Sequence, residues 1–389
     1  MRILVAMDSF KGSLSAIEAC DAVEQGIKAV DENIEVIKKP IADGGEGTVK
    51  TLINALDGEI VYTEVSDPLF RRIDGYYGII NNKTAIMEMA ISSGLVLLSE
   101  AEKNPLYTST YGVGEMIRHA LDRGIRDFII GIGGSATNDA GIGMLEALGM
   151  KFLDKDNKQL SPVGQSLKSI KIIDNSNFDK RIKECKFLIA SDDNNPLFGF
   201  NGAAYIYNPQ KGADEKTVKE LDEGLENFRT VVRRYFNIDN SCIAGAGAAG
   251  GLGYAFKSFF EAKLKSGIDI VFEKLDIESI IKNVDLIITG EGKIDKQSAM
   301  GKVLSGIGKL GIKYKVPVIA LGGSVENNLS LEQIGITSTF SVTKEPMTLE
   351  EAMNIEGTKK RITKVIKDIL NQVYFWLNIY KKKAWFSKN

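Results

Sequence analysis

Histidine is nearly absent from this chain: His119 is the only one in 389 residues. A Ser-His-Asp triad would depend wholly on it, and a metal site built from several histidines is excluded. His119 lies in the helical stretch GEMIRHALDRG and reads as a helix-surface or packing residue. Cysteine is also scarce. Cys20, Cys185 and Cys242 stand far apart with no C-x-x-C pair, which argues against a zinc site or a disulfide framework and fits a reducing cytoplasm. Neither sign of charge dominates: 49 basic against 51 acidic residues gives −2, no global field for a polyanion, so nucleic acid is not an expected partner. No run approaches the roughly 18 apolar residues of a membrane helix. The opening MRILVAMDSFKG breaks at Asp8, too early for a secretory leader. The expected location is therefore cytoplasmic.

What is present is an ordinary globular balance, 44% apolar and 26% charged residues, on a chain long enough for two domains. Short apolar runs alternate with helical patterns, which predicts α/β architecture with a largely parallel sheet of the Rossmann or flavodoxin-like kind. ILVAM reads as the first strand, followed by a helix from Ser15 with Ile17, Cys20, Val23, Ile27 and Val30 on one face. In the second unit, Thr48 is the expected cap of a helix that Gly58 would close. From about Glu59 to Met89 the texture turns β-branched and aromatic, with a turn signal at Asn81-Asn82, predicting an antiparallel excursion. Strand–loop–helix units then resume. Because no Pro- or Ser-rich linker follows, the expected arrangement is one domain inserted in another: 1–60 plus 284–380 discontinuous, 61–283 inserted, and 381–389 a basic, aromatic tail. Ile362, Val365, Ile366, Ile369, Leu370 and Val373 form the apolar stripe of a C-terminal helix.

Apolar strands end repeatedly in acid- and glycine-rich loops: Asp8-Ser9, Asp43-Gly44-Gly45, Gly133-Gly134-Ser135, Asp192-Asp193-Asn194, Gly290-Glu291-Gly292 and Gly322-Gly323. In open α/β sheets ligands bind outside the carboxyl ends of strands. Glycine lets backbone N–H groups approach an anion, and a following helix dipole adds attraction, so these loops suggest phosphate. The run from Gly131 to Ala136 fits G-x-G-x-x-A, with Asp154 about twenty residues on, and the run from Gly245 to Gly250 fits G-x-G-x-x-G without a preceding strand. Both keep a dinucleotide enzyme in play. There is no G-x-x-x-x-G-K-[ST], H-R-D or D-F-G, so a kinase here would be neither a P-loop enzyme nor a protein kinase. Phosphoryl transfer needs a divalent cation, a positive group and a proton acceptor. Carboxylates could supply the first and last, while Lys11 and Lys211, each in a tight Gly-flanked loop, are candidate cations.

DSFKGSLSA, ADGGEGT, GIGGSATNDAG, NPQKGA, GAGAAGGLG and ITGEGKIDKQSAMGK, in this order, closely resemble the bacterial glycerate kinase family. The resemblance runs from the first strand to about residue 370; the aromatic tail beyond departs from it. It implies two α/β domains, one inserted in the other, and phosphorylation of D-glycerate with ATP and Mg²⁺. The implied product is 2-phosphoglycerate, with 3-phosphoglycerate left open. Asp192 falls on the acid of the family pattern A-x-D-x-x-N-P-L. It is the expected general base or metal-linked acid, with Asp43 as second metal ligand and with Lys11, Asp43 and Glu291 as further catalytic candidates. Gly133, Gly134, Ser135, Asn138 and Asp139, with Gly290 and Gly292, are expected to hold the nucleotide. Ser9, Lys211, Asp295 and Gln297 are expected at the substrate. Two other readings stand beside this one: an NAD(P)-dependent hydroxy-acid oxidoreductase, and a kinase-like regulator without catalysis. Residues are silent on a homo-oligomer.

Overall fold

The computed structural model describes residues 1–10, 12–42, 47–299, 303–326, 330–343 and 345–386. Among them the strands are β1 Arg2–Met7, β2 Glu35–Lys38, β3 Glu59–Ser66, β4 Arg72–Ile80, β5 Thr84–Glu88, β6 Asp127–Gly131, β7 Lys151–Leu153, β8 Ile172–Asp174, β9 Lys186–Ala190, β10 Lys263–Lys265, β11 Leu286–Ile294, β12 Val318–Val325 and β13 Ser338–Ser341. The chain divides into two compact units, Met1–Asp43 with Val271–Asn389, and Gly44–Ile270. Both are α/β.

The first unit holds an all-parallel sheet in the order β13-β12-β11-β1-β2. Ile3, Leu4, Val5, Ala6 and Met7 are fully buried, the unbroken apolar run that a strand covered on both faces requires. Helix α1, Ala16–Lys28, starts from a reciprocal cap: the Glu18 N–H donates to the Ser15 hydroxyl and the Ser15 N–H donates to the Glu18 carboxylate. Its inner face packs on the helix Ile355–Phe386, where Ile362, Val365, Ile366, Ile369 and Leu370 are buried, each contributing about 2 kcal/mol by apolar burial. Gly26 sets the spacing. A Cβ there would lie 2.8 Å from the Thr363 carbonyl oxygen.

One expectation changes here. Gly290, Gly292, Gly322 and Gly323 are not loop residues but lie inside β11 and β12, where Glu291 pairs with Gly322. A Cβ on Gly290 would stand 2.3 Å from the Leu321 carbonyl oxygen, and one on Gly323 2.5 Å from that of Gly292. Glycine lets these two strands continue side by side past the end of their hydrophobic runs.

The second unit holds a mixed sheet in the order β10-β9-β6-β5-β4-β3, with β10, β9, β6 and β5 parallel and β5-β4-β3 antiparallel. Asn81 and Asn82 both take left-handed φ (52° and 51°), and the Lys83 N–H closes the turn on the Ile80 carbonyl, as an I′ hairpin needs. A second, two-stranded sheet pairs β7 with β8. The core is aromatic, with Phe128 stacked on Phe187 (4.7 Å) and Phe260 edge-on to it (4.9 Å). His119 packs edge-on to Tyr77, whose hydroxyl lies 2.9 Å from Nδ1.

Helix α2, Thr48–Ala55, is capped differently from the local reading. Thr48 is already helical and Gly47, at φ 88°, is the cap residue. The capping acceptor comes from the end of β5: the buried Glu88 carboxylate accepts the N–H groups of Val49 (2.7 Å) and Gly47 (3.2 Å), an acid at a helix N-terminus. At the other end Asp57, not Gly58, takes the left-handed conformation. No helix among the described residues is long and apolar enough to cross a membrane.

Candidate functional site

In the first unit, β1 leads to β2 on one side while β11, β12 and β13 step away on the other, so the strand order reverses between β1 and β11. The Asp8 N–H donates across that point to the Gly290 carbonyl (2.9 Å). A cavity of about 620 Å³ opens at these carboxyl ends. Asp8, Ser9, Glu291, Gly292, Lys293 and Asp295 form its polar side; Phe10, Val342, Met347 and Met353 form an apolar wall. Sheets of this kind bind ligands at such a reversal. The structure thus brings together four of the expected residues, Ser9, Glu291, Gly292 and Asp295, with Gly290 beside them. Asp295 starts a turn in which its N–H is taken by the Ser298 hydroxyl (3.0 Å). Gln297 lies on the following turn, Lys296–Ala299, and its side chain is outside the described residues, as are Lys11 and Asp43 altogether. The apolar wall is absent from the sequence-based candidates; apart from Phe10 it comes from Val342, Met347 and Met353, which carry no motif.

In the second unit the expected residues gather at the carboxyl ends of β6 and β9, neighbours in parallel register with Gly131 opposite Ala190. The loop after β6 is held by its carbonyls and flanks. The Leu95 N–H donates to Gly134 O (2.9 Å), the Ala136 N–H to Ser93 O (2.9 Å), the Thr108 hydroxyl to Ala136 O (2.9 Å), and the Ala140 N–H to Gly250 O (2.9 Å). The N–H groups of Gly133, Gly134 and Ser135 make no hydrogen bond among the described residues. Gly133 and Gly134 are exposed, and Gly134 is left-handed (φ 73°), a setting in which successive backbone donors can form an anion-binding nest.

Asn138 and Asp139 are both fully buried. Asp139 accepts the N–H and hydroxyl of Thr110 (2.8 and 2.7 Å) and the N–H groups of Gly141 and Gly143 (3.0 and 3.2 Å). Burial raises its pKa, while these four donors pull the other way. The Asn138 amide and the Thr137 hydroxyl, also fully buried, have no partner among the described residues, an unusual condition outside a site built for a polar guest. Helix dipole plays no part: the next helix, Ile142–Ala147, begins beyond the loop and has six residues. The loop therefore lacks the strand-to-helix turn that a dinucleotide fingerprint requires. The run Gly245–Gly251 lacks it too, entering its helix through three left-handed residues, Ala249, Gly250 and Gly251.

Asp192 stands exposed just after β9, where Oδ1 accepts the Gly267 N–H (3.3 Å). Asp193 lies beside Tyr207, whose hydroxyl donates to Asn195 Oδ1 (2.6 Å) and is driven above the usual phenol range by burial and then by Asp193. Lys211 is buried, 2% exposed, with Nζ donating to Ser135 Oγ (2.8 Å) and Thr137 O (2.7 Å). Burial drives its pKa down to about 7 against the opposing charges of Asp139 and Asp193. No group of three His, Cys, Asp or Glu side chains among the described residues could cage a metal ion.

The model of the glycerate kinase family matches residues 3–374. The chain is 46% identical over 374 residues to a glycerate kinase of Bacillus cereus (strain ATCC 10987 / NRS 248), covering 94% of this chain and 98% of the relative. It is 44% identical over 354 residues to the glycerate 2-kinase of Escherichia coli (strain K12), covering 90% and 93%. Among solved structures it is similar to a crystal structure from Salmonella typhimurium LT2 provisionally designated glycerate kinase 2, with a TM-score of 0.89, 39% identity, and coverage of 97% of this chain and 99% of the other.

Proposed function

We propose a function from one premise: this chain belongs to the glycerate kinase family. It transfers the terminal phosphoryl group of ATP to a hydroxyl of D-glycerate, giving ADP and 2-phosphoglycerate, the regiochemistry named for the Escherichia coli relative. The observation that carries this reading is the placement of the acid- and glycine-rich motifs. In both units they fall at carboxyl ends of parallel strands, as N–H groups without an acceptor among the described residues after β6 and as carboxylates around the cavity at the ends of β1 and β11. We read the two units as domains, Gly44–Ile270 being the insertion.

In the mechanism we infer, the Gly133–Ser135 N–H groups hold phosphate oxygens and stabilise charge as it develops on them. Asp192, exposed at the end of β9, takes the proton of the attacking hydroxyl and holds it on a carboxylate oxygen. Within the first unit, Ser9, Asp295 and Glu291 line a cavity whose polar side offers hydrogen bonds suited to a hydroxy acid. Magnesium bound with the nucleotide would offset phosphate charge. Among the described residues Asp192 is the acid that would hold it, which fits magnesium's habit of binding through one or two carboxylates plus phosphate.

The test is ADP release in a coupled assay with D-glycerate, ATP and Mg²⁺, with ³¹P NMR of the product to name the hydroxyl. NADH formation with a hydroxy acid in place of ADP release would replace this reading by a dehydrogenase.

A further inference from the structure

A buried lysine is costly unless its ammonium is well used. Lys211 is held on the single turn Pro209–Lys211, closed by Gly212 at φ 90°, where a Cβ would lie 2.2 Å from the Lys103 carbonyl oxygen. That turn aims the side chain inward, across 76 and 74 residues of sequence, at Ser135 Oγ and Thr137 O. Both acceptors belong to the loop whose Gly133, Gly134 and Ser135 N–H groups have no acceptor among the described residues. Nζ thus spends two bonds on the loop itself.

From this geometry we propose that Lys211 is a positioning residue: it shapes the Gly133–Asp139 loop for an anionic substrate group without touching that group itself. The inference rests on the kinase reading for the identity of the anion, which is either a nucleotide phosphate or the carboxylate of the hydroxy acid. Two bonds to residues 135 and 137 fix the loop, and the N–H groups of Gly133, Gly134 and Ser135, without an acceptor among the described residues, are left for the anion. Asn208, on the same turn, and Thr137 and Asn138, in the loop, carry fully buried side-chain polar atoms with no partner among the described residues. Both tied segments therefore keep polar groups in reserve, which a purely packed turn would not.

Lys211→Met keeps the volume and removes both bonds, and Ser135→Ala removes one. Steady-state kinetics of each variant and of the double variant form a cycle. We expect Lys211→Met to fold, by circular dichroism, and to lower kcat/KM about a hundredfold, with Ser135→Ala about tenfold. The double variant should fall no further than Lys211→Met. The substrate whose KM rises identifies the anion: ATP for phosphate, glycerate for carboxylate. The pH profile of kcat/KM should also lose its limb near neutrality in Lys211→Met. Should that variant not fold, Ser135→Ala carries the test alone through its KM and pH profile. Activity of Lys211→Met within threefold of wild type would overturn the proposal. So would fully multiplicative losses in the double variant, which would place Lys211 on the substrate independently of Ser135. Thermal-shift titration of wild type and Lys211→Met with ADP and with inorganic phosphate keeps the two readings apart. Weakened binding in the variant supports the clamp even if wild type releases no ADP from glycerate, and equal binding of both probes, with unchanged kinetics, counts against it.

Discussion

The Asp139 carboxylate accepts both the N–H and the hydroxyl of Thr110, at 2.8 and 2.7 Å, deep in the second unit. With two further N–H donors from Gly141 and Gly143, this acid is committed to holding the loop after β6 against the helix Tyr111–Asp122. Asp139→Ala would orphan four buried donors, so it should cost about 3 kcal/mol or more in urea unfolding. A loss under about 1 kcal/mol would show that the donors find other acceptors.

The same loop is fixed from its other flank by glycine. Gly250 has φ 66°, and a Cβ on it would stand 2.0 Å from the Thr137 carbonyl oxygen. Gly124 is also left-handed, at φ 85°, but nothing lies within 4 Å of its Cβ position. Gly124→Ala should therefore cost only the conformational term, about 1 kcal/mol, and Gly250→Ala at least about 2 kcal/mol more. Equal losses in chemical denaturation would remove the steric argument.

Lys211 gives stability a pH dependence whose sign is fixed. Burial lowers its pKa from 10.5 to about 7 in the folded chain. Between those values the unfolded chain binds the additional proton, so the folded state gains stability as pH rises through that window. The gain is bounded by about 1.4 kcal/mol per pH unit. Wild type should gain on Lys211→Met between pH 7 and about pH 10, measured by urea unfolding at each pH. A difference that is flat, or that shrinks as pH rises, would contradict a desolvated lysine.

Asp192→Asn should change unfolding little, because the residue is exposed and Asn keeps the Oδ1 that accepts the Gly267 N–H, and lower kcat by about a hundredfold or more, as loss of a general base does. Turnover within fivefold of wild type would move the base to another acid.

Much of this architecture is legible in sequence where local pattern decides the outcome. The all-apolar β1, the stripe from Ile362 to Leu370 and the Asn81-Asn82 turn each carry their own periodicity or backbone chemistry. The distant determinants are not legible. Thr48 looks like a cap, yet Glu88 does the capping from 39 residues away in the intervening sheet. Gly290 and Gly322 look like loop glycines, because the close pairing of β11 with β12 that requires them is a tertiary contact. Lys211 looks like a solvent-facing anion contact in a Gly-flanked turn; its burial depends on a loop more than seventy residues earlier. Motif spelling finds Ser9 and Glu291 in the first unit and Gly133 and Asp192 in the second, whereas Val342 and Met353 of the first unit's apolar wall have no motif to announce them.

The account stands most directly on one assay. Purified protein with D-glycerate, ATP and Mg²⁺ should release ADP in step with phosphoglycerate formation, and omission of either glycerate or Mg²⁺ should abolish the release. Folded protein that releases no ADP above the rate without glycerate would contradict the central claim.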